Sequence, residues 1–415
     1  MPGRRFAAAA LVLLLASCAE EPAAPRRVPR HPLPHGAIHG VRCGVVWDPK
    51  AGAIDDGRIV FDGDHVAAIG PASSTPRDGE ELDLRPLFCM PGLVDAHTHL
   101  TSYAHERGTD DLEKRRREAA RNAVLTLDAG ITSVRDLGGS EGVDRWLRDR
   151  IAAGALPGPR MQCAGSQIGT DGAVGGPAGA RAAVDAHADA GFDVIKLFAT
   201  AGAPDPRPLM TAQEILAATD EAHARKLRVA VHAIASEGID RAIAAHVDSI
   251  EHAQELSVEQ AKEMAEAGIT LVPTLYILRY YIEDAESLGF SDDYVAELRH
   301  TVSTTIVPFE HRFPAILATG VRVAMGSDAF MALHGKNARE LEYLVRAGMT
   351  PEQALTAATA TSAALLGWED KVGSLQPGAF ADVIAMKGDP RKDITAVEHV
   401  STVLRGGAVA FDDHR

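Results

Sequence analysis

Short apolar runs alternate with amphipathic helical patterns through the middle of the chain. Eight such runs read, in order, GLVDAHTHL, ITSVRDLG, MQCAGSQI, FDVIKLFAT, RVAVHAIA, DSIEHA, TLVPTL and RVAMGSD. Between them lie stretches such as DDLEKRRREAARNAVLTLDAG, TAQEILAATDEAHARK and SVEQAKEMAEAG, whose apolar residues recur at helical spacing. Strand–helix units repeated in this way predict an α/β fold with a parallel sheet, and eight of them predict a (β/α)8 barrel of the TIM type over residues 89–370.

Helix boundary signals support this reading. Thr211 and Ser257 stand where two of the helices begin, each with a glutamate in the first turn, which is a capping arrangement. A glycine precedes several of the strands, where the end of a helix needs a left-handed residue; these are Gly130, Gly191, Gly268 and Gly320. A doubly wound open sheet is the alternative, but it normally carries a glycine-rich phosphate loop after an early strand, and the sequence has none.

The two ends of the chain have a different, strand-like pattern. Residues 40–88 contain short apolar runs separated by DDG and DGD, which we expect to form hairpin turns, and residues 371–413 repeat the pattern. Neither segment has enough strands for an independent sheet. We therefore expect both to combine in one small β-sandwich domain, interrupted by the barrel.

The first eighteen residues, MPGRRFAAAALVLLLASC, have a basic start, a short apolar core and a small-residue exit. These features predict a signal peptide, since the core is too short to span a membrane as a helix. The ending Leu-Ala-Ser-Cys resembles the lipobox of bacterial lipoproteins, which implies lipidation of Cys18, a periplasmic or cell-surface location, and membrane contact only through the lipid. An ordinary signal peptide cut nearby is the alternative. Residues 19–39, rich in Pro, Ala and charge, predict a flexible tether.

Composition narrows the function. The chain has 415 residues, of which 46% are hydrophobic, and a formal net charge of -15. The hydrophobic fraction is enough for a large core, and the negative charge argues against a nucleic-acid partner. With Cys18 lipidated, the remaining three of the four cysteines cannot all pair internally. Because each lies in an apolar context, we expect Cys43, Cys89 and Cys163 to be buried free thiols.

Ionisable side chains occur where the barrel strands end. Side chains two apart in a strand share a face, so the pair in DAHTH can project together, as half of a metal site. Later strands end in VIK, VAVH, SIEH and MGSD. Strand ends of such barrels converge on one mouth. The candidate set is His97, His99, Lys196, His232, His252 and Asp328.

This set resembles the amidohydrolase superfamily, in its binuclear branch with a carboxylated lysine. MPGLVDAHTHL, IKLFAT, VAVHA, DSIEHA and MGSDA are similar to motifs of imidazolonepropionase-like amidohydrolases and of Xaa-Pro or Xaa-Arg dipeptidases. So are HGKNARELEYLVRAGMTPEQALTAATATSAALLG and GSLQPGAFADVIAM, so that the likeness covers nearly all of the chain after the tether. After the third strand, IGTDGAVGGPAGA departs from the Thr-Gly-Gly-His-type loop that the family often has.

The resemblance implies a chemistry that the residue types can support. A free ammonium is repelled by cations, whereas a carbamate on Lys196 would be an anionic bridge. One divalent ion would then bind His97, His99, the carbamate and Asp328, and a second would bind the carbamate, His232 and His252. Such a pair of ions can hold a hydroxide at neutral pH, and Asp328 can accept its proton and pass it to the leaving nitrogen. Histidine and oxygen ligands suit zinc, and manganese, cobalt and iron remain alternatives.

The expected activity is hydrolysis of an amide bond by a metal-bound hydroxide, in a small substrate such as a dipeptide or an N-acyl amino acid. The alternatives are a cyclic amide or lactone hydrolase and, from another class, a metal-poor binding protein, which would need a broken ligand set. Homo-oligomers are compatible with this reading. Substrate contacts above the metals are expected from Arg207, Tyr276, Arg279 and His334.

Overall fold

The computed structural model describes residues 38–77, 79–101, 111–172, 174–203 and 205–413. None of the helices in these ranges is long and apolar enough to cross a membrane. Cys18 and the greater part of the predicted tether lie outside the described residues, so the predictions about the leader stay predictions.

The strands of the described ranges are numbered in chain order. They are β1 (Gly40–Asp48), β2 (Gly52–Asp55), β3 (Gly57–Asp62), β4 (His65–Pro71), β5 (Glu81–Pro91), β6 (Leu93–Thr98), β7 (Ile131–Asp136), β8 (Arg160–Cys163), β9 (Val194–Phe198), β10 (Arg228–Ala233), β11 (Ser249–His252), β12 (Thr270–Val272), β13 (Arg322–Val323), β14 (Val383–Met386), β15 (Val400–Arg405) and β16 (Ala408–Asp412).

The α-helices are numbered in the same way. They are α1 (Leu112–Asp128), α2 (Val143–Ala152), α3 (Gly176–Asp189), α4 (Ala212–Ala224), α5 (Ser236–Ala244), α6 (Val258–Ala267), α7 (Ile277–Glu283), α8 (Ala285–Leu288), α9 (Asp292–Thr301), α10 (Val307–Leu317), α11 (Glu340–Arg346), α12 (Pro351–Thr356) and α13 (Ser362–Leu366). Single π-helical segments follow α9 (Val302–Ile306) and α12 (Ala357–Thr361), and 3-10 turns lie at Met331–Leu333, Asn337–Arg339 and Ile394–His399.

Strands β6 to β13 are parallel, and each of the eight predicted apolar runs contains all or most of one of them. They form a three-stranded sheet, β6-β7-β8, and a five-stranded sheet, β9 to β13. Backbone hydrogen bonds link the two sheets on both sides: Ala96 N–H donates to Met325 O at 2.9 Å, and Ile168 N–H donates to Lys196 O at 2.9 Å. The fold is therefore α/β with parallel sheets in a TIM-barrel-like arrangement.

The helices begin and end where the sequence predicts. Thr211 and Ser257 each cap a helix in a reciprocal capping box, with Glu214 and Gln260 as the partners three residues later. Gly268 ends α6 in the left-handed conformation, with a φ of 73°. The capping residues mark where a helix begins after a strand, and the glycine marks where the helix ends before the next strand begins.

Both ends of the chain contribute to one further sheet. Its order is β16-β15-β14-β5-β1-β3-β4, with β2 on the side of β1. Strand β5 pairs in antiparallel register with β14, which places Cys89 opposite Ala385. The DGD segment forms the β3–β4 turn as predicted. The DDG segment does not form a hairpin turn, because β2 and β3 both pair with β1 in one register and Asp56, at a φ of 45°, only interrupts them.

The prediction of three free thiols is wrong for two of them. Cys43 in β1 and Cys89 in β5 form a disulfide, with their Cα atoms 6.1 Å apart, while Cys163 is buried and free. An odd number of cysteines does not prevent two of them from pairing. What decides the matter is the parallel pairing of β1 with β5, which brings together residues 46 apart in sequence.

A buried carboxylate fixes the C-terminal segment to this sheet. Asp48, at the end of β1, is fully buried and accepts hydrogen bonds from Ser374 Oγ at 2.9 Å and from Leu375 N–H at 2.6 Å. It also accepts from the backbone N–H groups of Lys50 and Ala51, both at 2.9 Å. Buried acceptors need such partners, so Asp48 holds the segment before β14 in place.

Candidate active site

The six ionisable residues predicted at the strand ends line one cavity of about 290 Å³. His97 lies in β6 and His99 just after it, Lys196 in β9, His232 in β10 and His252 at the end of β11, and Asp328 follows β13. Five are buried, and the Asp328 side chain is 20% exposed. The structure thus brings the whole predicted set together at the carboxyl ends of the strands.

Distances within the cluster suit a cation. Oδ1 of Asp328 lies 3.4 Å from Nε2 of His97 and 3.2 Å from Nε2 of His99, and one ligand atom from each of these three residues lies within 4.8 Å of the others. On the other side, the ring of His252 is 5.1 Å from that of His97 and 4.5 Å from that of His232, centre to centre. The imidazoles therefore form a continuous wall around the cavity.

The protonation states of three imidazoles and of the carboxylate match those of metal ligands, whereas the Asp328 carboxylate outweighs burial at His99 and raises the pKa of that imidazole. Burial, with Lys196 nearby, lowers the pKa of His97 to about 4 and that of His232 to about 3, and the pKa of His252 also lies well below its usual value. Burial alone would raise the pKa of Asp328, but the facing imidazoles outweigh it and hold the pKa well below its usual range. Neutral imidazoles and an ionised carboxylate are the forms that bind divalent metals.

Among the described residues Lys196 has no ion-pair or hydrogen-bond partner, and its Nζ lies 5.6 Å from the centre of the Phe198 ring. Its Nζ is buried and makes no hydrogen bond to any described residue, while burial lowers its pKa to about 8. His99 Nδ1 is likewise buried without a partner among the described residues. An unpaired buried amine is costly, because a charged group loses its hydration without gaining a partner. The donor set therefore fits a site that is completed by further charged groups.

Groups behind the imidazoles fix how they point. Glu251 Oε2 lies 2.8 Å from Nδ1 of His97, and its other oxygen accepts from Arg135 at 3.0 Å and from Ser249 Oγ at 2.5 Å. With Nδ1 so engaged, Nε2 of His97 faces the cavity. Thr274 Oγ1 does the same for His252, at 2.7 Å from its Nδ1. Such partners orient ligands and raise their basicity.

A second network positions the loop that carries Asp328. The buried carboxylate of Asp95 accepts from Ser327 Oγ at 2.5 Å, from Ser327 N–H at 3.0 Å and from Asn337 Nδ2 at 2.9 Å. Asp328 itself has a left-handed φ of 50°, and its N–H donates to His97 O at 2.7 Å. A Cβ on Gly326 would lie 2.4 Å from Val272 and 2.7 Å from His97, so only glycine fits there.

The four predicted substrate contacts are not among the described residues that line this cavity. Tyr276 donates its hydroxyl to Glu283 at 3.0 Å, and Arg279 is paired with Glu310 at 2.8 Å. Arg207 is largely exposed. His334 is buried, with Nδ1 3.4 Å from Thr126 Oγ1. A contact between any of them and a substrate stays a prediction.

Other residues of the cavity were not predicted from the sequence. Polar side chains are Gln167, Gln254, Glu297 and Thr301, and apolar or aromatic ones are Phe198, Ile234, Ile277, Leu278, Tyr281, Tyr294 and Leu298. Most of these come from α7 and α9, which follow β12. Their amphipathic pattern alone does not tell which face covers the mouth of a barrel.

Glu251, which lies behind His97, was also not predicted, although the sequence carried a signal for it: an acid inside the apolar run DSIEHA, next to a predicted ligand.

An α/β fold with parallel sheets and a buried histidine–carboxylate cluster at the strand ends defines a metal-dependent hydrolase. A model described as "Amidohydrolase family" matches residues 88–410, and the chain belongs to that family. Its members generally use divalent metal ions. The protein is therefore an enzyme that hydrolyses C–N bonds of small molecules, and the His97, His99 and Asp328 cluster is where its described residues can hold a metal.

Individual relatives agree with this class. The chain is 28% identical to ochratoxinase of Aspergillus niger over 395 residues, covering 82% of this chain and 80% of the relative. It is 28% identical to imidazolonepropionase of Rhodococcus jostii over 415 residues, covering 89% and 92%. Among solved structures, a Xaa-Pro dipeptidase with bound methionine in its active site is similar, with a TM-score of 0.81, 32% identity, and coverage of 89% of this chain and 98% of that one.

The Glu251 contact generates a prediction. Glu251→Gln keeps the shape of the side chain but removes the charge that faces both His97 and Arg135. Since outer partners of metal-bound histidines typically contribute about 10–100-fold to affinity, we expect metal binding to weaken by that factor. Titration of the metal-stripped variant with zinc measures this. Glu259→Gln, an exposed site on α6, is the matched control, and equal affinities for the two variants would refute the positioning role.

Proposed function

We propose that the protein is a dipeptidase-like or N-acyl amino acid amidohydrolase. The observation that carries the proposal is the intact set of six ligand-type side chains around one cavity. The wall opposite them is largely apolar and aromatic, with Ile277, Leu278, Tyr281 and Tyr294, which suits a substrate with an apolar side chain. The Xaa-Pro dipeptidase and ochratoxinase similarities support this class.

The second candidate is hydrolysis of a cyclic amide or lactone. The similarity to an imidazolonepropionase favours it, because the match extends over 92% of the length of that relative. A metal-poor binding protein would need at least one missing ligand, but all six ligand-type residues are present around the cavity.

The chain's ligands suit two divalent ions, and we propose zinc as the native metal. His97, His99 and Asp328 would hold one ion, and His232 and His252 the other. Lys196, as a carbamate, would be a ligand of both ions. Burial lowers the pKa of Lys196 to about 8, which enlarges the unprotonated fraction at neutral pH, and the neutral amine is the form that adds carbon dioxide. The carbamate would also supply the negative charge that the buried cluster lacks.

The catalytic step that we propose for this chain is a proton transfer at Asp328. Divalent ions bound here would lower the pKa of a water molecule and polarise the substrate carbonyl. Asp328, ionised at neutral pH, accepts a proton from the water as its oxygen adds to the carbonyl carbon. It then donates that proton to the leaving nitrogen, and the C–N bond breaks. Bound ions would keep the imidazoles neutral, because only the neutral ring binds a metal.

For the architecture we propose a closed (β/α)8 barrel over residues 89–370 and a composite β-sandwich domain from residues 40–88 and 371–413. The hydrogen bonds that connect β6 with the segment after β13, and β9 with the segment after β8, support closure. The pairing of β5 with β14 supports the composite domain.

We further propose that the enzyme is exported and anchored by a lipid on Cys18, with residues 19–39 as the tether. The disulfide between Cys43 and Cys89 supports export, because disulfides persist in oxidising compartments such as the bacterial periplasm.

Substrate panels test the proposed activity. Purified enzyme loaded with zinc is assayed against dipeptides, N-acyl amino acids, cyclic amides and lactones, with release of the amine or acid followed by chromatography. We expect turnover of the linear amides with apolar side chains. Activity on the cyclic panel alone would favour the second candidate, and no turnover in either panel at full metal loading would contradict both.

Asp328→Asn tests the proton transfer. An amide cannot accept the proton, so turnover of any confirmed substrate should fall by about 10²–10⁴-fold, the usual contribution of general acid–base catalysis. Metal content, measured in parallel, should largely persist because five ligand-type residues remain. Near-normal turnover at full metal loading would disprove the role of Asp328.

Lys196→Ala tests the carbamate. We expect the variant to lose activity and part of its metal, and short-chain carboxylic acids to restore some activity by supplying the missing oxygens. In the unsubstituted enzyme, ¹³C-labelled bicarbonate should give a carbamate signal by NMR that the variant lacks. Absence of that signal in active enzyme would rule out the modification.

Cys18→Ser tests the anchor. Expressed in a bacterium with its own leader, the unsubstituted protein should sediment with membranes and incorporate labelled fatty acid. The variant should do neither, because a serine offers no thiol for acylation. Cys163→Ser, at a buried thiol, is the control. A soluble, unlabelled parent protein would disprove the lipidation.

A further inference from the structure

A second cavity, of about 620 Å³, lies at the opposite ends of the strands from the catalytic cluster. Arg160 and Met161, which begin β8, line it, whereas Gln167, beyond the end of β8, lines the catalytic cavity. The two cavities therefore lie toward opposite ends of β8. The other walls of the second cavity come from the end of α2, from the turn between β15 and β16, and from residues 368–380.

The wall of this cavity carries more positive than negative charge. Four cationic side chains and one carboxylate line it, namely Arg148, Arg160, Lys371 and Arg405 against Asp64. Arg148 is paired outside the cavity wall, with Asp193 at 2.7 Å. Asp64 is already paired, with Oδ1 2.7 Å from Nδ1 of His65. This imbalance occurs in a chain whose overall charge is strongly negative, so it is a local feature of the cavity.

Among the described residues of this wall, neither Lys371 nor Arg405 forms an ion pair, and Arg405 is the less exposed of the two. The neighbouring carboxylate, Asp382, is taken up by Arg160, which donates to both of its oxygens at 2.9 and 3.1 Å, and by Gly406 N–H at 2.7 Å. Nε of Arg405 is buried and makes no hydrogen bond to any described residue. Burial and the nearby Arg160 lower the pKa of Arg405, although an arginine stays charged at neutral pH. The half-buried guanidinium of Arg405, which has no carboxylate of its own among the described residues, is a donor that an anion can satisfy.

Aromatic surface flanks the same space. Trp368 and Phe380 both line the cavity, and the guanidinium of Arg160 stacks on Phe380 at 3.4 Å from the ring centre. Apolar groups from Ile151, Met161 and Val372 complete the wall. A volume of this size matches sites for small organic molecules, which combine an apolar lining with a few fixed polar groups.

We propose that this cavity is a binding site for a small organic anion, an aromatic carboxylate, whose carboxylate pairs with Arg405 and whose ring packs against Trp368. The guanidinium fork matches the two oxygens of a carboxylate, and the indole offers a flat apolar face. The site is separate from the catalytic cavity, so it stands whatever the substrate of the enzyme is.

Calorimetry on the zinc-loaded enzyme, with 4-bromobenzoate as the probe, tests the proposal. We expect saturable binding of 4-bromobenzoate. Benzamide, which lacks the charge, and acetate, which lacks the ring, should each bind at least about tenfold more weakly. Arg405→Gln should weaken the binding of 4-bromobenzoate by about tenfold or more, the usual effect of losing a charge-assisted hydrogen bond. Arg117→Gln, at an exposed arginine of α1, is the control and should bind as the parent does.

Location distinguishes this site from the metal centre. A crystal soaked in 4-bromobenzoate should show the anomalous signal of bromine between Arg405 and Trp368. Trp368→Leu should weaken binding while leaving hydrolytic activity unchanged, which also covers the case in which Arg405→Gln fails to fold. Bromine found only at the catalytic cluster, equal binding by Arg405→Gln and the parent, or a segment of residues 1–37 filling the cavity would each overturn the proposal.

Discussion

The arrangement of the barrel interior depends on the free-energy cost of burying several charged groups around one cavity. Lys196, four imidazoles and the Asp328 carboxylate surround one cavity, and Lys196 has no described partner of its own. Such a cluster needs surroundings that fix each group, and divalent ions bound to it would compensate the loss of hydration. The Glu251–Arg135–Ser249 network fixes His97, Thr274 fixes His252, and the Asp95 carboxylate holds the loop of Asp328. Much of the polar interior of the barrel therefore serves the geometry of its mouth.

The backbone meets the same demand. Asp328 and His252 both have left-handed φ values, of 50° and 68°, which ordinary residues adopt only when the surroundings compel them. Gly326 can lie against His97 because it has no Cβ. The strained backbone at Asp328 and His252 lowers local stability, but it allows side chains from several strands to converge. The hydrogen bonds on both sides of β6 and β11 stabilise the neighbouring backbone and offset this strain.

Local signals carried most of what the sequence could predict. The eight apolar runs, the capping residues Thr211 and Ser257, and the strand-end ligands all follow from spacing within a few residues. What escaped depends on contacts between distant segments. The disulfide needed the pairing of β1 with β5, and Tyr281 and Tyr294 needed the way in which α7 and α9 fold back over the cavity. Short-range patterns specify elements, whereas the side chains opposite the ligands depend on tertiary packing.

The sheet formed from both chain ends has a consequence for how the protein is made. Cys89 and Ala385 are direct neighbours across β5 and β14, although about 300 residues of sequence lie between them. During synthesis β5 emerges long before its partner, and its edge stays open until β14 arrives. Closing so long a loop costs entropy that local contacts cannot repay in advance, so this step is slow. The last stretch of the polypeptide therefore acts as a latch, and a nascent chain that stalls before it presents a bare strand edge to its neighbours.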